Sequence, residues 1–507
     1  MEICFFPFCK GSFRVMSLSL IPLGGPTSLD TIDVFMAKPT PDSRRTSVLL
    51  PLQKKVYPTP LSQSSPSSAS RVSLSAAMSM LYLWSSLATS AVRLCGLSDV
   101  SLSSSVRTFH APMSSLVKIV NMATVLKHCI LNSNQLLNYV WIRKSSNVTT
   151  MSAWAINSYG GIENLYLSSS GCMSAIRSPD QLLIKVHAAS INPIDVRMIG
   201  GYGRVLINVL RKQSGSVTSG TEFPLTVGRD FSGTVVEVGG NVSKYKVGDE
   251  VWGAIGANKP GTHAKFVVAS QSEISKKPAN ISHIEAASIP YVAATTWAAL
   301  CTVGELKEKN ATGKRLLILG GSGGIGTFSI QLAKAWGMHV TVTSSTDAID
   351  LVTSLGADTV IDYKTKKLWN ELKLHEKFDY ILDTVGGEYT DKSLAFLSPW
   401  KSAHLVTLVT PLLKNCDDFG TVPGLFKAAL SAGVDTFKGL TSGRSVRWAI
   451  FTPNGSALDR VKQMVETEQI KPVVQETFPF SKVREGFKKV SEGHLRGKIV
   501  IDVLRDN

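Results

Sequence analysis

The chain has few cysteines for its length, seven in 507 residues, and they show neither zinc nor disulfide spacing. A disulfide-stapled secreted scaffold and a four-cysteine zinc lobe are therefore excluded, and the composition suits a reducing compartment. Only Cys172, Cys301 and Cys416 lie beyond residue 150, far apart in sequence. Acidic residues are missing from one long stretch, with none between Asp99 and Glu163. Residues 1–150 hold 14 Lys/Arg against 5 Asp/Glu, so this segment carries +9 of the chain's formal +16. Because the basic excess sits there, it does not describe a nucleic-acid-binding face on the remainder, and no nucleic-acid partner is expected. One uncharged stretch of spanning length, Ser73 to Val92, is rich in serine, which weakens it as a membrane anchor.

What is present in the first 150 residues is basic, hydroxyl-rich and acid-poor sequence, Ser- and Pro-rich around Tyr57 to Ser70. That is the composition of a mitochondrial transit peptide in a largely disordered leader. Met122 to Thr150 fits one, with Lys127, Arg143 and Lys144 set among Val125, Leu126, Ile130, Leu136, Leu137, Val140 and Trp141. Cleavage is expected near residue 150. The placement is mitochondrial, with the matrix first and outer-membrane association as the open alternative.

The chemistry begins at Leu316-Leu317-Ile318-Leu319, an apolar run that breaks into Gly320-Gly321-Ser322-Gly323-Gly324-Ile325-Gly326 and restarts as Thr327 to Lys334. Strand, phosphate turn and helix are the reading. Gly321, Gly323 and Gly326 fit G-x-G-x-x-G, in which the glycines permit the tight turn, the approach of a pyrophosphate and close helix–strand packing. Backbone N–H groups at the helix start then face the phosphates. Further strands are expected at Met338 to Thr343, Thr359 to Ile361, Phe378 to Asp383 and Leu405 to Val409, alternating with helical patterns. Such a series indicates a parallel sheet covered on both faces.

Where NAD-preferring domains place an acid on the ribose, about 20 residues after the loop, the chain has Thr343-Ser344-Ser345-Thr346. Small hydroxyls leave room for a 2′-phosphate, and Tyr363 and Lys364 add a phenol and a cation, although no Arg stands beside the serines in sequence. NADPH is the expected cofactor.

Residues 151–298 have a different texture, short β-rich runs such as Gln181 to Val186, Gly233 to Val238 and Ala264 to Val268 separated by Gly, Pro and Asn. This is the pattern of a mostly antiparallel domain. The final run, Gly497 to Val503, has no place in the parallel sheet and is expected to return to the β domain.

Several phrases stand in one order: Ala188 to Asp195, Gly228 to Gly233, Val247 to Trp252, Ala286 to Tyr291, the glycine loop, Leu355-Gly356-Ala357-Asp358 and Arg496-Gly497-Lys498. Together they resemble the medium-chain dehydrogenase/reductase superfamily over about residues 151–507. The resemblance implies an α/β architecture, a GroES-like β-rich catalytic domain (151–298) plus a Rossmann doubly wound parallel sheet (299–445), with a C-terminal return to the catalytic domain (446–507). Tyr291-Val292-Ala293, Thr407 to Pro411, Arg447-Trp448-Ala449 and Thr477 to Val483 are similar, more narrowly, to the mitochondrial quinone-reductase branch. That likeness implies NADPH-dependent reduction of quinone-like substrates linked to ubiquinone biosynthesis, with reticulons or other membrane proteins as partners. A homodimer is an open possibility for assembly.

Zinc members of the superfamily carry a Cys where this chain has Asn192 and a His-Glu pair where it has Arg229-Asp230, so no metal is expected. Arg229 and Asp230 are read as an internal salt bridge. By resemblance, cofactor contacts fall at Gly321, Ser322, Gly323, Gly324, Ile325, Gly326, Ser345, Tyr363, Leu408, Ala449, His494, Leu495 and Arg496. Asn192 and Tyr202 are the candidates for the substrate pocket, and no general acid is assigned. Val205 to Leu210 is expected to be a short apolar helix lining a pocket. Leu412 to Val446 reads as a Gly-rich connection, a mobile cover or a subunit contact. Enone or enoyl-thioester reduction, and an NADPH-bound binding protein, are the competing functions.

Overall fold

The computed structural model describes residues 150–506 apart from residues 174, 217–219 and 366. The expectations for the leader fall outside these residues.

The chain opens with antiparallel structure. β1 (Thr150–Ile156) pairs with β2 (Tyr166–Cys172), and β3 (Gln181–Ile191) leads through Asn192 into α1 (Pro193–Ile199) and α2 (Arg204–Gln213). The second of these is the short helix expected at 205–210. β4 (Leu225–Thr226) completes a small sheet ordered β2-β1-β4. β5 (Asp230–Val238), β6 (Glu250–Ala254), β7 (Phe266–Ser270) and β8 (Ile274–Lys276) all belong with β3 in a larger sheet. β3 is its central strand and is covered on both sides, which is why it reads as a nearly unbroken apolar run.

α3 (His283–Ala287) starts at a capping box in which Ser282 accepts from the Glu285 N–H and Glu285 returns the bond. α4 (Pro290–Thr296) continues into a π-helical turn, Trp297–Val303, so the boundary expected at 298/299 falls inside a helix. His283 to Val303 is long and apolar enough to cross a membrane by length and composition, but it lies largely buried inside the fold.

The second half alternates strand and helix: β9 (Arg315–Leu319), α5 (Gly324–Ala335), β10 (His339–Ser344), α6 (Ile349–Ser354), β11 (Thr359–Asp362), α7 (Leu368–Lys373), β12 (Tyr380–Asp383), α8 (Glu388–Ser393) and β13 (His404–Thr407). α9 (Leu412–Phe419), α10 (Thr421–Thr441) and β14 (Ser445–Trp448) follow. The sheet order is β11-β10-β9-β12-β13-β14 with every pair parallel. Strand order reverses beside β9, the switch point at which doubly wound sheets bind ligands. β14 is the sixth strand, so the boundary expected at 445/446 falls within it.

α11 (Gly455–Glu466), β15 (Val474–Pro479), α12 (Val483–Ser491) and β16 (Lys498–Asp502) close the chain. β16 pairs antiparallel with β3 and parallel with β15, which returns the C-terminus to the first sheet. Phe231, Val251, Ile274, Phe480, Phe487, Ile499 and Ile501 are all buried in the resulting core. Each such side chain contributes roughly 1.5–3 kcal/mol.

The connection at 412–446, read from its glycines as a mobile cover or a subunit contact, is two packed helices, α9 and α10, followed by the start of β14. An added Cβ at Gly424 would lie 2.4 Å from the Cys416 Cα, so this glycine lets α10 approach α9. Glycines of that kind mimic loop composition. The outer face of α10 carries Val422, Phe426, Leu430, Val434 and Phe437, each more than half exposed.

Candidate functional site

At the carboxyl end of β9 the glycine loop is tied to β10 by two bonds to Thr343, from the Gly321 N–H to its carbonyl (2.9 Å) and from the Gly320 N–H to its hydroxyl (3.0 Å). A Cβ added at Gly326 would lie 2.3 Å from the Gly320 carbonyl oxygen, so that position exists for close packing of α5 on the loop. A Cβ at Gly323 would meet nothing within 4 Å. Gly323 borders open space over the first turn of α5, where Gly324, Ile325 and Gly326 present N–H groups that a helix cannot satisfy internally. The positive end of the helix dipole adds to them. An anionic pyrophosphate fits this cradle.

The C-terminal segment closes onto the same loop. The Gly497 N–H donates to the Ser322 carbonyl (2.9 Å), and Gly323 and Gly497 form a parallel bridge. This docking brings in His494, Leu495 and Arg496, the last of which donates to Asp347 in the turn after β10. Ser345 sits buried in that turn. Tyr363 donates its N–H to the Ser344 carbonyl (3.1 Å), and the Lys364 ammonium lies 3.7 Å from Asp347. An arginine absent from the local sequence thus arrives from 149 residues away. Hydrogen bonds from Ser345 and Arg496 hold the Asp347 carboxyl well below the usual carboxylate range. Leu408 and Ala449 follow β13 and β14, their N–H groups donating to Asp383 (2.9 Å) and Thr407 (3.0 Å), so both sit at the carboxyl edge of the sheet.

Facing the loop from the first domain is a buried polar cluster. Asn192 precedes α1, and its N–H donates to Asp195 (2.8 Å) while its side-chain amide donates to Asp230 Oδ2 (2.8 Å). The Lys498 ammonium donates to the Asn192 side-chain oxygen and to Asp230 Oδ2 (3.2 Å). Ser190 (2.6 Å) and the Tyr291 N–H complete the partners of Asp230. The stem of Lys498 runs past the loop, 2.7 Å from where a Gly324 Cβ would be. One side chain therefore separates Asn192 from the glycine loop. Tyr202 is not among the partners of Asn192; its ring lies under the Arg197 guanidinium, and the next residue donates to Asp417 of α9 (2.6 Å).

The expected Arg229–Asp230 salt bridge is not formed. Arg229 faces Asp195 instead (3.8 Å) and donates to the carbonyls of Gly256 (3.1 Å) and Lys259 (3.3 Å), while the cation on Asp230 is Lys498. Arg229 precedes β5 and its side chain turns to the 256–259 loop and Asp195, whereas Asp230 opens the strand and faces Lys498 and Asn192. Sequence reasoning missed Lys498, Asp347 and the stack of Tyr291 on Phe451 (4.2 Å between centroids). Lys498 and Tyr291 were within phrases that carried the resemblance, but nothing local marks them as partners of Asn192 or Phe451.

Burial shifts the cluster's titrations in opposite senses. It pushes the Asp195 carboxyl up to about 6 and the imidazole of His263, a buried residue whose Nε2 lies 3.1 Å from the Ser190 carbonyl oxygen, down to about 4. His263 lends stability above its unfolded pKa that is lost as pH falls toward 4. Asp195, with a raised folded pKa, lends stability below its unfolded pKa that is lost as pH rises through 6. Between pH 4 and 6 the two slopes, each about 1.4 kcal/mol per pH unit, oppose one another. His263→Gln is expected to expose the Asp195 slope, so the variant's urea midpoint rises from pH 6 to pH 4.5 relative to wild type. Parallel pH profiles for the two proteins would contradict this assignment.

Among the described residues, no group of three or more His, Cys, Asp or Glu side chains comes together in a way that could hold a metal ion. A six-stranded doubly wound sheet with a glycine loop, joined to a GroES-like sheet by its C-terminal strand, defines a two-domain oxidoreductase. The alcohol dehydrogenase GroES-like domain model matches residues 178–279, and the zinc-binding dehydrogenase model matches residues 355–501. The mitochondrial NAD(P)H oxidoreductase RTN4IP1 of Danio rerio is 48% identical over 358 residues, covering 71% of this chain and 92% of that protein. Reticulon-4-interacting protein 1, mitochondrial, of Caenorhabditis elegans is 37% identical over 358 residues, covering 70% of this chain and 96% of its own. The solved quinone oxidoreductase of Coxiella burnetii superposes with a TM-score of 0.56 at 27% identity, over 70% of this chain and all of that one. The chain belongs to the medium-chain dehydrogenase/reductase family, and like its RTN4IP1 relatives it is a mitochondrial protein.

Proposed function

We propose that the chain is an NADPH-dependent, zinc-independent oxidoreductase that reduces quinone-like substrates, in connection with ubiquinone biosynthesis. The observation that carries this reading is the convergence on one loop of an open pyrophosphate cradle at Gly323, a Ser345–Lys364–Arg496 set suited to a 2′-phosphate, and Asn192 one side chain away. When bound, the nicotinamide supplies hydride.

In this reading the first turn of α5 neutralises the pyrophosphate, while Leu408 and Ala449 form the apolar floor beside it. Lys498 and Asp230 fix Asn192, the side chain that this reading assigns to the nicotinamide and substrate. Tyr291, whose N–H donates to Asp230, stacks its ring on Phe451 and so ties the start of α4 to the segment after β14. A quinone accepts hydride without a Lewis acid, which suits a site whose zinc-ligand positions hold Asn192 and Arg229. The ammonium of Lys498 supplies the cation to Asn192 and Asp230 instead. The names of the Danio rerio and Coxiella burnetii proteins, an NAD(P)H and a quinone oxidoreductase, support the same reaction class.

The test is NADPH oxidation by the purified chain against a panel of quinones and enones, with and without chelator. Quinone turnover unaffected by chelation is expected, with no stoichiometric zinc by metal analysis. Activity lost on chelation and restored by zinc would refute the reading, and turnover of enones alone would move the substrate class. A binding role beside catalysis is favoured by the exposed apolar face of α10, the kind of surface that marks protein or membrane contacts. The Caenorhabditis elegans relative is named for a reticulon.

A further inference from the structure

The turn after β10 holds an acid that the NADPH reading does not account for. Asp347 lies about 20 residues beyond the glycine loop, the distance at which an acid accepts the ribose 2′-hydroxyl of NAD in related sheets. Here its carboxylate is engaged on two sides, by the Arg496 guanidinium at one oxygen and by the Lys364 ammonium 3.7 Å from the other. Ser345, the small hydroxyl that leaves space for a phosphate, also hydrogen-bonds to it. The surroundings hold all three in place. Thr346 donates to Asp362 (2.6 Å), the Lys364 N–H donates to the same carboxylate (2.9 Å), and the Arg496 N–H donates to Gln475 (2.7 Å). The three charged side chains are each about half exposed, so the group is open to a ligand from solvent.

We propose that Asp347 sets the cofactor discrimination of this site, as the internal counter-anion of Arg496 and Lys364 that a 2′-phosphate must displace and as the acceptor for the 2′-hydroxyl of NADH. The inference rests on the proposed nicotinamide-dependent function. Two cations and a serine would by themselves make a strongly NADPH-selective pocket. Asp347 works against that selectivity in two ways. It repels the 2′-phosphate across a few ångströms, and it occupies the donors the phosphate needs. With NADH the same carboxylate takes a neutral hydroxyl, and the cations remain paired. One pocket then accepts both dinucleotides with a modest bias.

The experiment measures dissociation constants of NADPH and NADH by fluorescence titration on the full chain and its Asp347→Asn and Asp347→Ser variants, with 2′,5′-ADP and 5′-AMP as probes of the ribose end alone. Removing the charge is expected to tighten NADPH and 2′,5′-ADP roughly tenfold and to weaken NADH several-fold. 5′-AMP is expected to follow NADH. Weaker NADPH binding in both variants would show that Asp347 only positions Arg496, and unchanged NADPH/NADH ratios would show that it faces no ligand; either overturns the inference while the enzyme reading stands. If neither dinucleotide binds the wild-type chain, the enzyme reading itself falls, and the inference with it. Thermal melting of each variant reports whether the turn has kept its fold.

Discussion

Replacing Gly323 with Val is expected to weaken NADPH binding at least a hundredfold while leaving the melting temperature close to that of the wild type. The contrast with its neighbours gives this its force. At Gly323 the backbone has φ −73 and ψ 171, an extended conformation open to any residue, and an added Cβ touches nothing within 4 Å. The protein alone therefore tolerates the side chain. The space it would fill is the space over the α5 N-terminus in which a pyrophosphate must sit, so the cost falls on the ligand. At Gly326 an added Cβ falls 2.3 Å from the Gly320 carbonyl oxygen and 2.5 Å from that of Gly321, a clash with backbone that no rotamer relieves. Gly326→Val is expected to unfold the nucleotide domain, with loss of binding following from loss of structure. Calorimetric titration with NADPH and thermal melting on both variants separate the two effects. Wild-type affinity in a folded Gly323→Val chain would remove the pyrophosphate from this loop.

The elements that sequence made legible share one property: their signal is local. β9, the glycine loop and α5 are contiguous, and an apolar run breaking into G-x-G-x-x-G carries its own structural meaning. The C-terminal return was legible because Lys498 to Asp502 reads as a strand after the parallel series has ended. β14 was not, since Ser445–Trp448 is short and follows two helices whose glycines imitate a loop. The site divides in the same way. Ser345 is marked by its distance from the loop and Tyr363 by its place just past the third strand, whereas the roles of Asp347 and Lys498 depend on partners 149 and 306 positions away. The Arg229–Asp230 pair shows the converse error, because adjacency in sequence implied a contact, while folding gives each a partner from elsewhere, Asp195 for Arg229 and Lys498 for Asp230. Charge balance across the cluster emerges only when Asp195, Asp230, Arg229 and Lys498 are brought together by folding.

That balance sets the size of the last expected result. Lys498→Met is expected to destabilise the chain by about 3–5 kcal/mol, because it strands the Asp230 carboxylate in a buried site without its cation. The Asp230 side chain is fully buried and that of Lys498 is 6% exposed, so neither water nor salt can substitute for the lost ammonium. The methionine matches the stem that passes Gly324, so packing against the loop is retained and the loss reports charge. The Ser190 hydroxyl and the Tyr291 N–H still need an acceptor at position 230. Asp230→Asn removes the charge and keeps one oxygen, for either the Ser190 hydroxyl, which uses Oδ2, or the Tyr291 N–H, which uses Oδ1. The double variant Lys498→Met/Asp230→Asn is accordingly expected to recover part of the stability lost by Lys498→Met alone, the remainder reflecting the donor left without its acceptor. Urea unfolding of the two single variants, the double variant and the wild type completes a cycle whose coupling energy measures the pair. A function-specific consequence accompanies it. In the double variant Asn192 loses the donor to its side-chain oxygen, so under the proposed function turnover is expected to fall even though the fold is kept, seen as a lower kcat at unchanged NADPH affinity. Additive destabilisation would show that Lys498 does not pair with Asp230, and full activity in the double variant would show that its bond to Asn192 is not needed for turnover.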